Sequence, residues 1–193
     1  MPFWKAFYPR LKKIFPDNLK SVALEDFYRS INKVEPSLIR VEADEATYNL
    51  HIMLRFEMEL DLLEGRLSAA DAPEAWNAKF EEFLGLTPPS NKLGILQDVH
   101  WSIGAVGYFP TYALGNLVAS QLWVKIKDDV SDLERQMEKG KFGDLLDWLR
   151  TNLHIHSSKY QPVELLNKVT GSGLEAQPYV DYLNEKFGKV YEL

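Results

Sequence analysis

The sequence predicts an all-α fold, on three observations. Apolar residues recur at three- and four-residue intervals through most of the chain. No segment alternates apolar and polar residues between two turn signals. Proline and glycine fall where helices start and stop. With 193 residues and no linker-like tract, residues 1–193 are read as a single helical domain with room for one buried core.

The elements follow in order. Phe3, Phe7, Leu11 and Ile14 form a four-residue stripe on a first helix, which Pro16-Asp17-Asn18 closes, and Leu24 to Ile31 makes a short second one. Pro36-Ser37 then opens the longest predicted element, with Ser37 as N-cap and an apolar face through Leu38, Val41, Tyr48, Ile52, Phe56, Leu60 and Leu63 to Gly65. Leu50, Met53, Leu54 and Met58 widen that face, so cover on more than one side is expected. Asp71-Ala72-Pro73-Glu74 starts the next helix and Gly85 ends it. Thr87-Pro88-Pro89-Ser90-Asn91 is the strongest loop signal. Pro110 opens a helix carrying Leu114, Leu117, Val118, Leu122 and Ile126, which fades through Asp128 to Lys139 and stops at Gly140. Phe142 to His154, Pro162 to Val169 and Glu175 to Phe187 complete the set.

Composition narrows the function. There are 22 basic and 28 acidic residues, a formal charge of −6, and no basic stripe, which disfavours nucleic acid and anionic membrane as partners. Cysteine is absent, so disulfides, thiolate zinc sites and cysteine nucleophiles are excluded and a reducing, cytoplasmic setting is expected. The N-terminus lacks the pattern of a secretory signal, and no apolar run approaches the length of a membrane span.

Two groups of residues could carry chemistry. Arg40, Asp44, Thr47, His51 and Arg55 are spaced by four, three, four and four, one polar stripe on the predicted long helix. Ion pairing to neighbouring helices is the bland account of that stripe. The sharper one is that the Arg40 fork binds a substrate carboxylate while Asp44 holds it or a histidine in place. The second group lies in a glycine-punctuated turn, Gly94 to Trp101, followed by Gly104, Gly107, Tyr108, Pro110 and Tyr112. His100 stands two residues after Asp98 and three after Gln97, where its ring could face a cleft or be a satisfied structural group. Tyr108 and Tyr112 could be core aromatics or donors to an oxyanion.

Metal ligation is not encoded in the familiar way. The residues after the four histidines are Ile52, Trp101, Ile155 and Ser157, so H-E-x-x-H is absent, and a site built from His51, His100 and carboxylates has poor spacing. His154 and His156 read as a helix C-terminus rather than a chelating pair. Neither a phosphate-cradling G-x-x-x-x-G-K-[ST] loop nor a G-x-S-x-G elbow occurs. No metal ligand is therefore assigned.

Ile39-Arg40-Val41-Glu42-Ala43-Asp44 matches I-R-x-x-A-D, and Gly94 to Trp101 matches G-x-x-Q-D-x-H-W. Both resemble signature motifs of the Taq-type thermostable metallocarboxypeptidases. The likeness extends to Val34 to Leu38, Tyr48 to Phe56 and Gly107 to Leu117, so the chain resembles the C-terminal part of such an enzyme. The resemblance implies an all-α, zinc-dependent, generally homodimeric enzyme that releases single amino acids from peptide C-termini. It further implies that Arg40 and Gln97, with Tyr108 a weaker candidate, line the pocket for the substrate's C-terminal end. His100 and Tyr112 would be hydrogen-bond donors around the scissile carbonyl and its oxyanion, and Asp44, with Asp98, would be supporting residues.

The family's H-E-x-x-H helix, its H-E-S-type motif and its H-P-F and D-x-R-x-T motifs are not in this sequence. The expectation is a truncated or split homologue, inactive alone, holding no cofactor by itself although the full-length family uses zinc. The alternative is a non-catalytic helical module that binds or self-associates. Either version implies a homo-oligomer, a dimer first, or a partner chain carrying the zinc-binding half, with peptide C-termini as ligands. One smaller departure is Ser157-Ser158, where the family places a glycine near the His154 turn.

Overall fold

The computed structural model describes residues 1–193, and every regular element in it is helical. Ten α-helices run α1 (Pro2–Ile14), α2 (Pro16–Leu19), α3 (Leu24–Ile31), α4 (Tyr48–Leu63), α5 (Ala72–Leu84), α6 (Pro110–Asp129), α7 (Leu133–Glu138), α8 (Gly143–Asn152), α9 (Pro162–Thr170) and α10 (Gln177–Tyr191). Short 3-10 turns lie at Arg40–Glu42, Trp101–Ile103 and His154–His156. The helices gather into two compact units, one of residues 1–31 with 116–193, the other of residues 32–115. No helix is long and apolar enough to cross a membrane.

In the first unit, Ile126, Leu133 and Trp148 form the buried centre, with Trp123, Leu145 and Val169 against it. The Trp148 indole donates to Asp129 at 2.9 Å, which satisfies the one polar atom this ring carries. Tyr8 stacks on Phe27 and donates to the Val22 carbonyl, tying α1 to α3. Gln121 is buried and fully used: its amide donates to Ser172 and the Gly173 carbonyl, and its oxygen accepts from the Glu175 N–H. That last bond holds Glu175 outside α10, which starts at Gln177 rather than at the expected Glu175.

The predicted helix from Pro110 to Lys139 is two. It stops at Asp129, and Asp132 takes a left-handed φ of 56° before α7. Aspartate tolerates that conformation better than most residues, so the break needs no glycine. Gly140 then ends α7 at φ 68°, as expected. Ser157 also has a positive φ, 45° with ψ −126°, at the place where a glycine was expected. A β-carbon is strained there, so Ser157→Gly should raise stability by about 1 kcal/mol, read as a higher midpoint in urea unfolding.

In the second unit, α4 and α5 pack through Leu54, Met58, Ala72, Trp76, Phe80 and Leu84, all buried. The long element does not begin at Ser37. Ile39 and Ala43 are extended, Arg40–Glu42 makes one 3-10 turn, and α4 starts at Tyr48. The cause is Asp44, whose carboxylate accepts from the Ala46 and Thr47 N–H groups at 2.9 Å each and from the Thr47 hydroxyl. A short acid that gathers the free N–H groups ahead of a first turn starts a helix there, whatever the periodicity upstream.

α4 keeps Ile52, Leu54 and Met58 of its predicted apolar faces buried, but it buries the polar stripe as well. His51, Arg55 and Glu59, four residues apart, point inward and are at most 3% exposed. The expected apolar positions Phe56 and Leu63, with Met53, lie at the surface, as does Val41 in the 3-10 turn.

Candidate active site

The site lies within the second unit and starts from Gln97. Its amide nitrogen donates to the carbonyls of Leu38 at 3.0 Å, Gly94 at 3.1 Å and Leu93 at 3.2 Å, and its oxygen accepts the Arg40 N–H at 2.8 Å. One side chain thus joins two segments far apart in sequence through main-chain bonds. Gly94 makes the turn close-packed: a β-carbon there would meet Pro88, the Ser90 carbonyl and the Trp76 indole nitrogen at 3.2–3.3 Å. Gly94→Ala should therefore cost about 1–3 kcal/mol through overpacking, seen as a lower melting temperature. Trp101 closes the turn onto α4, donating to Glu59 at 2.7 Å and setting its ring edge against Trp76.

Asp98 sits between two arginines. Arg40 donates to it at 2.7 Å from Nη2 and at 3.2 Å from Nε, and Arg55 donates at 2.8 Å from Nε with Nη2 also 2.7 Å away. Arg40 is 5% exposed and Arg55 0%. Burial alone would push the Asp98 carboxyl up, yet the Arg40 hydrogen bonds and the charges of both guanidiniums outweigh it and hold the group below the usual carboxylate range. Burial lowers Arg55 to about 10, against the pull of Asp98, so it stays charged at neutral pH. Arg40 moves the other way, because hydrogen bonding and charge from Asp98 overcome its desolvation.

Two cations share one anion, and the excess positive charge is spread over rings. Phe109, 1% exposed, lies 5.6 Å from the Arg40 guanidinium and 5.3 Å from that of Arg55. Trp76 covers the other flank of Arg55 at 4.8 Å, and Tyr112 lies 5.0 Å from Arg40. Tyr48 takes a hydrogen bond from Arg40 Nη1 at 3.1 Å, and its ring centroid lies 6.0 Å from that guanidinium.

Above this cluster His100 and Tyr112 meet, with Nε2 3.0 Å from the Tyr112 oxygen. The His100 ring rests on Phe109, centroids 4.3 Å apart, and its Nδ1 is buried 3.8 Å from Asp98 Oδ1. Tyr108 is half exposed and packs near both rings, at 5.7 Å from His100 and 5.5 Å from Tyr112.

The expected residues thus separate into groups. Arg40, Gln97, Asp98, His100, Tyr108 and Tyr112 come together. Asp44 stands apart in the turn ahead of α4, bonded to Glu35, Ala46 and Thr47. In this structure Arg40 spends its side-chain donors on Asp98 and Tyr48, and Gln97 spends its amide on backbone. Arg55, a member of the predicted polar stripe, also belongs to the site through its ion pair with Asp98, and Phe109 and Tyr48 join it although the sequence did not single them out for it. The four-residue spacing of His51, Arg55 and Glu59 was the available signal. His51 is the odd member: it is fully buried, edge-on to Phe80, and neither ring nitrogen has a hydrogen-bond partner.

No three His, Asp or Glu side chains converge as cation ligands anywhere in the chain. The residues present do not fit a zinc centre.

The comparisons with known proteins decide the family. The model of carboxypeptidase Taq (M32) metallopeptidases matches residues 1–187. The chain belongs to the M32 family. Thermostable carboxypeptidase 1 of Thermus thermophilus is 48% identical over 189 residues, which is 98% of this chain and 37% of that protein. Carboxypeptidase 1 of Bacillus subtilis is 41% identical over 191 residues, 99% of this chain and 38% of the relative. Among solved structures, the M32 carboxypeptidase from Deinococcus radiodurans R1 superposes with a TM-score of 0.97 at 40% identity, over 100% of this chain and 39% of that one. The Trypanosoma cruzi metallocarboxypeptidase 1 gives 0.90 at 38% identity, over 95% and 38%. This M32 chain spans under two fifths of the length of these relatives, and it corresponds to their C-terminal portion. The expected fold class and family hold.

Proposed function

We infer that this chain supplies the carbonyl-binding side of an M32 carboxypeptidase site and that the metal side comes from another polypeptide segment. The observation that carries this reading is the His100–Tyr112 pair standing over a buried cluster with one excess positive charge. A hydroxyl held by an imidazole, above two guanidiniums that share a single carboxylate, suits a carbonyl oxygen that gains negative charge as it becomes tetrahedral. The same excess charge favours the C-terminal carboxylate of a peptide: Arg40 contributes to it by charge and Gln97 by holding the turn, since their own donors are already used, and Tyr108 is the exposed member of that part of the cleft. In this reading Asp98 supports the pair and Asp44 fixes the helix that carries the arginine cluster. The relatives are named carboxypeptidases, which makes release of C-terminal amino acids the activity of the completed site.

Zinc is the cofactor implied for the whole enzyme, where it would supply Lewis acidity and an activated water. It must be held by residues other than these. Exposed apolar side chains support a partner: Leu96, Val99 and Ile103 in the turn, and Met53, Phe56 and Leu63 on α4. A chain carrying the metal-binding half is the partner that completes the site, and a homodimer is the second assembly this surface suits. A cytoplasmic location accords with the absence of cysteine.

The test is zinc content and hydrolysis of a blocked dipeptide by the purified chain. The expected result is neither stoichiometric zinc nor release of the C-terminal residue. Zinc at one equivalent together with turnover would overturn the division of the site. The alternative, a non-catalytic binding module, would be favoured by peptide binding with no gain of activity on adding the metal-binding half.

A further inference from the structure

The two oxygens of Asp98 do different work. Oδ2 faces Arg55, with Nε at 2.8 Å and Nη2 at 2.7 Å, and takes only a longer bond of 3.2 Å from Arg40 Nε. Oδ1 takes the short bond from Arg40 and is the carboxylate oxygen 3.8 Å from His100 Nδ1. Arg55 is itself fixed on three sides: Nη1 donates to the His51 carbonyl at 2.8 Å, and the Trp76 and Phe109 rings flank the guanidinium. The carboxylate therefore cannot rotate without breaking a bond to an immobile, fully buried cation.

We propose that Arg55 is a positioning residue for the His100–Tyr112 pair: by anchoring Asp98 Oδ2 it aims Oδ1 at His100 Nδ1 and selects the Nδ1–H tautomer. This rests on the reading of His100 and Tyr112 as the carbonyl-side groups, and it deepens it.

Electrostatics gives the direction. A buried Nδ1 with no hydrogen-bond partner faces a carboxylate oxygen. A lone pair there would be repelled by the anion, and an N–H is attracted. The proton on Nδ1 leaves Nε2 as an acceptor, so the 3.0 Å contact is a bond donated by the Tyr112 hydroxyl. The consequence for chemistry is a division of labour. Neutral His100 holds the hydroxyl, and Tyr112 carries the mobile proton, which turns from Nε2 to an incoming oxyanion. The charged groups around the ring are Asp98 directly and Arg40 and Arg55 through it, while Tyr108, Phe109 and Tyr112 supply its aromatic walls.

The experiment is imidazole 15N NMR on the intact chain at alkaline pH, with wild type, Tyr112→Phe and Arg55→Lys. Wild type should show His100 as a single form with the proton on Nδ1, and Tyr112→Phe should keep it, because the tautomer is set from the Asp98 side. Arg55→Lys retains the charge but loses the fork, and the signal should become a mixture of both tautomers while circular dichroism stays native. A proton on Nε2 in wild type, a switch in Tyr112→Phe, or an unchanged single form in a folded Arg55→Lys would each overturn the proposal. If neither Arg55→Lys nor Arg55→Gln folds, Arg55 is a structural keystone and the positioning role is likewise refuted. None of these outcomes depends on hydrolysis, so they are separable from failure of the carbonyl-side reading, which only an activity assay can show.

Discussion

Asp98→Ala is expected to destabilise the second unit by about 3–5 kcal/mol, enough to unfold much of it in water. Removing the carboxylate strands two guanidiniums that have almost no access to solvent, Arg55 at 0% and Arg40 at 5% exposed. Arg40 would keep one bond to Tyr48 and Arg55 one to the His51 carbonyl, while their mutual repulsion would lose the counter-charge they share. Neighbouring rings soften this by cation–π attraction of about 1–2 kcal/mol, too little to offset the loss. Asp98→Asn keeps one acceptor and should fall between alanine and wild type. Urea unfolding followed by tryptophan fluorescence, which reports Trp76 and Trp101 beside the cluster, measures the difference. A free energy of Asp98→Ala within 1 kcal/mol of wild type, on the scale of an exposed pair, would mean that the buried triad is not formed.

The second large effect is acid destabilisation through His51. Burial foremost, then the charges of Arg55 and Arg40, lower this imidazole from 6.5 to about 4. The folded chain therefore resists a proton that the unfolded chain accepts. The associated stability is complete above pH 6.5, declines as pH falls below it, and is gone below about 4, a loss of about 3 kcal/mol in all. The Asp98 carboxylate has the same sign, but its shift lies below the ordinary carboxylate value, so its contribution disappears only in stronger acid. His51→Leu separates the two. It replaces two unpartnered ring nitrogens with an apolar side chain beside Phe80 and should flatten the stability profile between pH 6.5 and 4.5 while leaving the lower limb intact. An unchanged slope in that variant would place the acid sensitivity elsewhere.

These effects show which parts of the molecule could be read from sequence. Prolines and glycines located most helix limits, because Pro73, Pro110 and Pro162 suit first turns and Gly85, Gly140 and Gly171 adopt positive φ after last ones. The two motifs named the residues that meet, since Gln97, Asp98 and His100 are close in sequence and Arg40 belongs to a segment that Gln97 clamps through backbone. The start of α4 was not legible from periodicity. Asp44 competes for the N–H groups of Ala46 and Thr47, and a local capping bond wins over an apolar repeat that continues upstream.

The inward face of α4 was hidden for a different reason. Hydrophobicity assigns faces on the assumption that charges seek water, whereas here His51, Arg55 and Glu59 face the interior, two of them satisfied by Asp98 and Trp101, and Met53, Phe56 and Leu63 are left outside. Spacing puts Arg55 on the polar stripe, but its partner Asp98 lies 43 residues away, a contact that spacing cannot supply.

Complementation tests the central claim most directly. The part of the Deinococcus radiodurans M32 carboxypeptidase that this chain does not match would be expressed separately, combined with this chain and zinc, and assayed for release of a C-terminal residue from a blocked dipeptide. The expected result is a complex with activity absent from either half, reduced at least a hundredfold by Tyr112→Phe, which removes an oxyanion donor at about 3 kcal/mol, and by His100→Ala, which removes the group that holds it. A zinc-loaded complex whose turnover is unchanged by both substitutions would contradict the assignment of the carbonyl side to this chain.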